Sequence, residues 1–171
     1  MKKIIIILML LVVGMTASAQ EGEWRKQRAE GDELKGTSTS DIYSFINPEM
    51  GAFSFSGFDT YTIFLIAEKA QFNVETIYTP AMGYYSIIKV LVGFYDGDGK
   101  MKDKFEMTFD LVKNSSNRMI YASSKNRVGY KSKIKKIYKA LQEQDGYVRM
   151  VTSRFQNTDF DLKILPIKDL Q

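Results

Sequence analysis

Neither cysteine nor histidine occurs anywhere in the chain. Without thiols no disulfide supports the fold, so buried apolar surface has to do so alone. Without imidazole and thiolate, catalytic zinc sites of the usual kinds are excluded. So are Ser-His-Asp and Cys-His nucleophile systems. No side chain titrates near neutrality unless its surroundings move it. An enzyme built from this chain would have to work with carboxylates, Lys, Tyr or Ser.

Acid is missing from one long interval. Between Asp110 and Glu143 there is no Asp or Glu, while Lys113, Arg118, Lys125, Arg127, Lys131, Lys133, Lys135, Lys136 and Lys139 all fall there. Leaving out Lys2 and Lys3, the chain holds 22 basic and 20 acidic residues, so this interval carries nine positive charges and the rest sums to −7. The charge is polarised along the chain.

What is present starts with an export signature. Met1-Lys2-Lys3 is basic, Ile4 to Val13 is an apolar run of ten residues, and Ala17-Ser18-Ala19 is a small-x-small site with cleavage expected after Ala19. The run is short of the ~20 residues that span a bilayer, and no Cys follows it to take a lipid. Residues 1–19 are therefore expected to be a signal peptide, which sends a bacterial protein to the periplasm or outside the cell; a retained anchor is the alternative. Residues 20–40, polar and rich in Gly, Glu, Lys and Thr, read as a flexible lead-in. Within it Trp24 stands as a stray aromatic or a docking anchor, and a short helix over "EWRKQRAE" lacks an apolar stripe.

Residues 41–171 form one β-rich domain, and a chain of this size buries about 70% of its unfolded surface. Phe53 and Phe55 alternate with Ser54 and Ser56. "TYTIFLIA" is apolar on both faces, as a buried strand is. "FNVETIY" is a further strand, ended by Pro80 and Gly83. Ile88, Val90, Val92 and Phe94 share one face of a strand, and Phe105, Met107, Phe109 and Leu111 share one face of the next. The "DGDGK" between them reads as a hairpin turn. An EF-hand loop starting at Asp96 needs an oxygen ligand, Gly and Glu where the chain has Lys100, Met101 and Met107, so that motif fails; a looser calcium site through Asp96 and Asp98 is a minor alternative. "RMIYASS" is a strand. Ile134, Ile137, Tyr138 and Leu141 mark a helix, with Ser132 as its cap and Gly146 as its stop. "YVRMVTSRF" and "FDLKILPI" close the chain as strands around a turn at Asn157 to Asp159.

This pattern implies a mainly β, single antiparallel β-sandwich domain of seven to nine strands with one helix in the C-terminal region. A lipocalin-like closed β-barrel is the alternative, and it would enclose a pocket.

The basic helix is the sharpest candidate site. Lys131, Lys135 and Lys139 are four residues apart and stack on one side, and Arg127 precedes them. These four are the expected anion contacts, against a plain solvated helix whose lysines are balanced by the acidic hairpin. Ser132 and Lys135 match S-x-x-K, but the companion K-T-G is missing. Asp96 with Asp98 and Asp159 with Asp161 are the carboxylate pairs a glycosidase would need. Tyr84 and Tyr85 offer a sugar platform, though neighbours on a strand point to opposite faces. The expected function is a non-enzymatic envelope module that binds an anionic glycan, lipid or protein partner. A carrier of a small apolar ligand and a carboxylate-dependent hydrolase of envelope polymers are the alternatives. No metal, cofactor or nucleic acid is expected.

Overall fold

The computed structural model describes residues 22–31, 38–67, 75–80, 83–115, 118–123, 128–143, 145–152 and 160–168. The export segment 1–19, Arg127, Asp159 and the turn from Asn157 lie outside these residues. The strands are β1 (Glu23–Ala29), β2 (Ser40–Asn47), β3 (Gly51–Ser56), β4 (Ile63–Ala67), β5 (Glu75–Thr79), β6 (Gly83–Tyr95), β7 (Met101–Ser115), β8 (Arg118–Ser123), β9 (Tyr147–Thr152) and β10 (Asp161–Ile164). One helix, α1 (Tyr130–Gln142), lies between β8 and β9.

Among the described residues the fold is mainly β: a curled antiparallel sheet forming a half-barrel, with one helix. All ten strands belong to one hydrogen-bonded sheet in the order β1-β2-β3-β4-β8-β7-β6-β9-β10. The remaining strand, β5, pairs with the first half of β6, and β9 pairs with the second half. The two ends of the sheet approach each other. Trp24 of β1 donates its indole N–H to the carbonyl of Leu165, just after β10, at 2.7 Å.

Alternation places the core. Ile88, Val90, Val92 and Phe94 face the concave side and are buried, as are Met107 and Phe109 opposite them. Helix α1 lays Ile134, Ile137, Tyr138 and Leu141 onto this side, and all four are buried in the same cluster as Phe45, Phe53, Phe55 and Tyr121. In β4, Ile63 and Leu65 enter that cluster while Phe64 and Ile66 join a second one on the opposite face with Ile42, Ile46, Ala52 and Ile120. Both faces of β4 are thus buried, as its unbroken apolar run implies.

Three expectations need correction. Residues 23–29, assigned to a flexible lead-in, form an edge strand. Trp24 there packs edge-on against Phe45, Phe53 and Phe55, with ring centroids 5.4, 6.3 and 6.1 Å away. Only Ala29, at the end of this edge strand, is buried and Trp24 is half-buried, so the alternation is faint. Ser132 does not cap the helix. Gly129 holds the cap position at φ 74°, and the Ser132 hydroxyl donates back to the Gly129 carbonyl at 2.7 Å. Gly146 lies beyond the helix end and serves another need. Its φ is +97°, and a side chain there would place Cβ 2.0 Å from the carbonyl oxygen of Tyr95, so only glycine fits.

The "DGDGK" segment is a turn, as expected. Asp96 accepts a 2.8 Å bond from the Lys100 amide through Oδ1, and the Gly99 amide bonds the Asp96 carbonyl at 3.0 Å, with Gly99 at φ +76°.

Candidate functional site

The helix sorts its lysines onto two flanks. With 3.6 residues per turn, the buried stripe at Ile134, Ile137, Tyr138 and Leu141 separates Lys131 and Lys135 on one side from Lys133 and Lys136 on the other.

The second pair is satisfied by the β6–β7 hairpin. Lys133 donates to the Glu106 carbonyl at 2.8 Å and lies 5.6 Å from the Phe105 ring centroid. Lys136 pairs with Asp103 and lies 5.3 Å from the Phe94 ring. The Lys136 ammonium, with the Lys104 amide, holds the Asp103 carboxyl below the usual carboxylate range. On this flank both lysines contact the hairpin, Lys136 through a carboxylate and Lys133 through a backbone carbonyl.

Among the described residues the first pair has no such partner. Lys131 and Lys135 are exposed, and their ammonium groups lie 5.0 and 5.8 Å from the ring centroid of one residue, Tyr61. Tyr130 meets the Tyr61 ring edge-on at 6.4 Å. Among the described residues no carboxylate forms an ion pair with either lysine. Like charges four apart on a helix repel by about 0.2–0.5 kcal/mol. The first turn of α1 also holds no acid, although the positive end of the helix dipole favours one. Positive charge is therefore gathered where helix electrostatics alone would not put it.

Of the four expected anion contacts, the structure brings together Lys131 and Lys135. Lys139 is separate. It lies 3.9 Å from Glu143 one turn on and lines a cleft of about 470 Å³ with Lys102, Lys136, Asp96, Asp103 and Asp145. Arg127 lies outside the described residues. Sequence reasoning missed Tyr61, read there as a strand residue. It precedes β4 and supports two lysines about seventy positions away, a long-range contact that no local periodicity records.

The other constellations fare less well. An open cleft of about 800 Å³ at the hairpin end is lined by Trp24, Asp96, Asp98, Asp145, Tyr147 and Lys163 among others. Asp96 borders both clefts, but its hydrogen bond from Lys102 and the Lys100 amide push its carboxyl below the usual range. A general acid needs the opposite shift. Asp161 is paired with Arg149 through a 2.7 Å bond from Nε, which raises the guanidinium still further above its ordinary value. Among the described residues no group of three potential ligands is placed to hold a metal. The Ser132 hydroxyl is spent on Gly129, and Lys135 leans on Tyr61, so the S-x-x-K pair is not wired as nucleophile and base. On the concave side the helix stripe packs in one buried cluster with Phe53 and Phe55. Burial pushes the Tyr138 phenol up to about 12, despite its contact with Thr60. Among the described residues no helix is long and apolar enough to cross a membrane.

Compared with known proteins, the chain matches no family model, no curated protein and no solved structure.

Proposed function

We propose that this chain is an exported, non-enzymatic binding module that holds an anionic component of the bacterial envelope, a glycan or a lipid headgroup, at the start of its helix. The export reading rests on the basic start, the apolar run and Ala17-Ser18-Ala19. The binding reading rests on one observation: two ammonium groups converge on Tyr61 with no carboxylate partner among the described residues. An anion placed between them relieves their repulsion and meets the positive end of the helix. We read the curled sheet as an open barrel rather than a sandwich. One continuous hydrogen-bonded sheet and a helix on its concave side support that choice.

Retention on dextran sulfate and on uncharged dextran, at low salt, tests the site. The unaltered chain should be held by the sulfated polymer alone and released as salt screens the contact. The double variant K131E/K135E should pass through both, while K133E, on the other flank, should still be held. Equal retention of the unaltered chain on both polymers contradicts the reading.

A further inference from the structure

The hairpin β5–β6 carries a second feature that the lysine site does not use. Tyr78 and Tyr84 sit directly opposite each other across the two strands. They are 61% and 79% exposed, with ring centroids 5.0 Å apart and planes tilted by 52°. Large aromatic side chains this open are costly to leave in water, because each carries extensive apolar area. Tyr85, on the opposite face of β6, is half-buried, so the aromatic partner of Tyr84 is its cross-strand neighbour and not the adjacent tyrosine.

The rest of this face identifies its chemistry. Residues opposite each other in a ladder share a face, and the next pair on this face, past Ile77 with Tyr85, is Thr76 with Ser86. The face therefore shows two aromatic rings, their two phenol groups and two aliphatic hydroxyls. The charged pair of this hairpin, Lys89 with Glu75 at 3.3 Å, belongs to the other face, by strand alternation. The same face of β6 enters the core two residues on, at Ile88. Exposed rings with hydroxyls beside them and, among the described residues of this face of the hairpin, no charge complement an uncharged ligand with a flat C–H face and many hydroxyls.

We infer that Tyr78 and Tyr84, with Thr76 and Ser86, form a saccharide subsite for the uncharged pyranose rings of a polysaccharide. The rings stack on the C–H faces of the sugar and the hydroxyls exchange hydrogen bonds with its hydroxyl groups. This subsite shares no residue with the lysine pair and stands without it.

Native gels cast with hydroxyethylcellulose, galactomannan or dextran test the subsite. At least one of these neutral polymers should retard the unaltered chain, to the same extent at low and high salt. Y78A and Y84A should each weaken that retardation about tenfold, the change produced by 1.4 kcal/mol, with no change in thermal unfolding because both side chains are exposed. Y78F and Y84F should retain most of the effect, and K131E/K135E all of it. Should an alanine variant fail to fold, the near-ultraviolet tyrosine spectrum of the unaltered chain, titrated with the retarding polymer, gives the same answer by its perturbation. Passage through all three gels without retardation, alanine variants that bind as well as the parent, an unperturbed tyrosine spectrum, or retardation lost in K131E/K135E overturns the inference.

Discussion

The two flanks of helix α1 carry the same residue type and differ in everything around it. On one flank Lys133 and Lys136 meet a backbone carbonyl, a carboxylate and two rings of the β6–β7 hairpin. On the other, Lys131 and Lys135 meet one ring and, among the described residues, no carboxylate. The difference teaches that the run of positive charge in the sequence is not one feature. Part of it pins a hairpin to the helix. Among the described residues, Lys131 and Lys135 make no ion pair with a carboxylate.

The stripe between the flanks should dominate stability. Ile137→Ala removes a fully buried side chain that joins the helix to the concave face. It should cost about 2–5 kcal/mol in chemical denaturation and loosen both flanks together. A smaller cost would mean that the helix is not what holds the lysines in place.

Alkali should act next, through Tyr138. Its phenol titrates at about 12 in the folded chain against an ordinary 10.0. The folded state thus binds the proton more tightly than the unfolded state does. The stability this gives is complete below pH 10 and is lost as pH rises from 10 towards 12. Denaturant midpoints measured across that window should fall, and Tyr138→Phe should flatten the part of the fall that this residue causes.

Trp24→Phe should cost about 1 kcal/mol, the typical net worth of one hydrogen bond, because it deletes the indole bond to Leu165 and keeps the ring packing. Since that bond links the two ends of the sheet, amide exchange should rise most in β1 and β10. Lys136→Ala comes last. The pair with Asp103 is exposed, so its loss should be slight and should vanish in high salt. Retention on dextran sulfate should be unchanged by it.

How much of this was readable beforehand follows the range of the interactions. The β6–β7 hairpin and the helix stripe were legible because Val90, Val92, Phe105, Met107, Ile134 and Leu141 report their faces through period alone. Strand β1 was hidden: an edge strand with Trp24 as its one large apolar residue leaves no alternation to detect. The division of the lysines was half legible. Spacing placed Lys131 and Lys135 on one side, but also grouped Lys139 with them. Only the fold shows that Glu143 meets Lys139 and that Tyr61 lies under the other two. The pairing of Tyr84 with Tyr78 depends on hairpin register, which the sequence did not specify at Pro80 and Gly83.

The most direct test of the two-flank account is the single variant K131E, followed by thermal unfolding and by retention on dextran sulfate. An acid in the first turn suits the helix dipole and ends a like-charge repulsion, so stability should rise by about 0.3–1 kcal/mol. Retention should fall in the same variant. A loss of stability with retention intact would show that Lys131 is a structural residue and that no anion is held there.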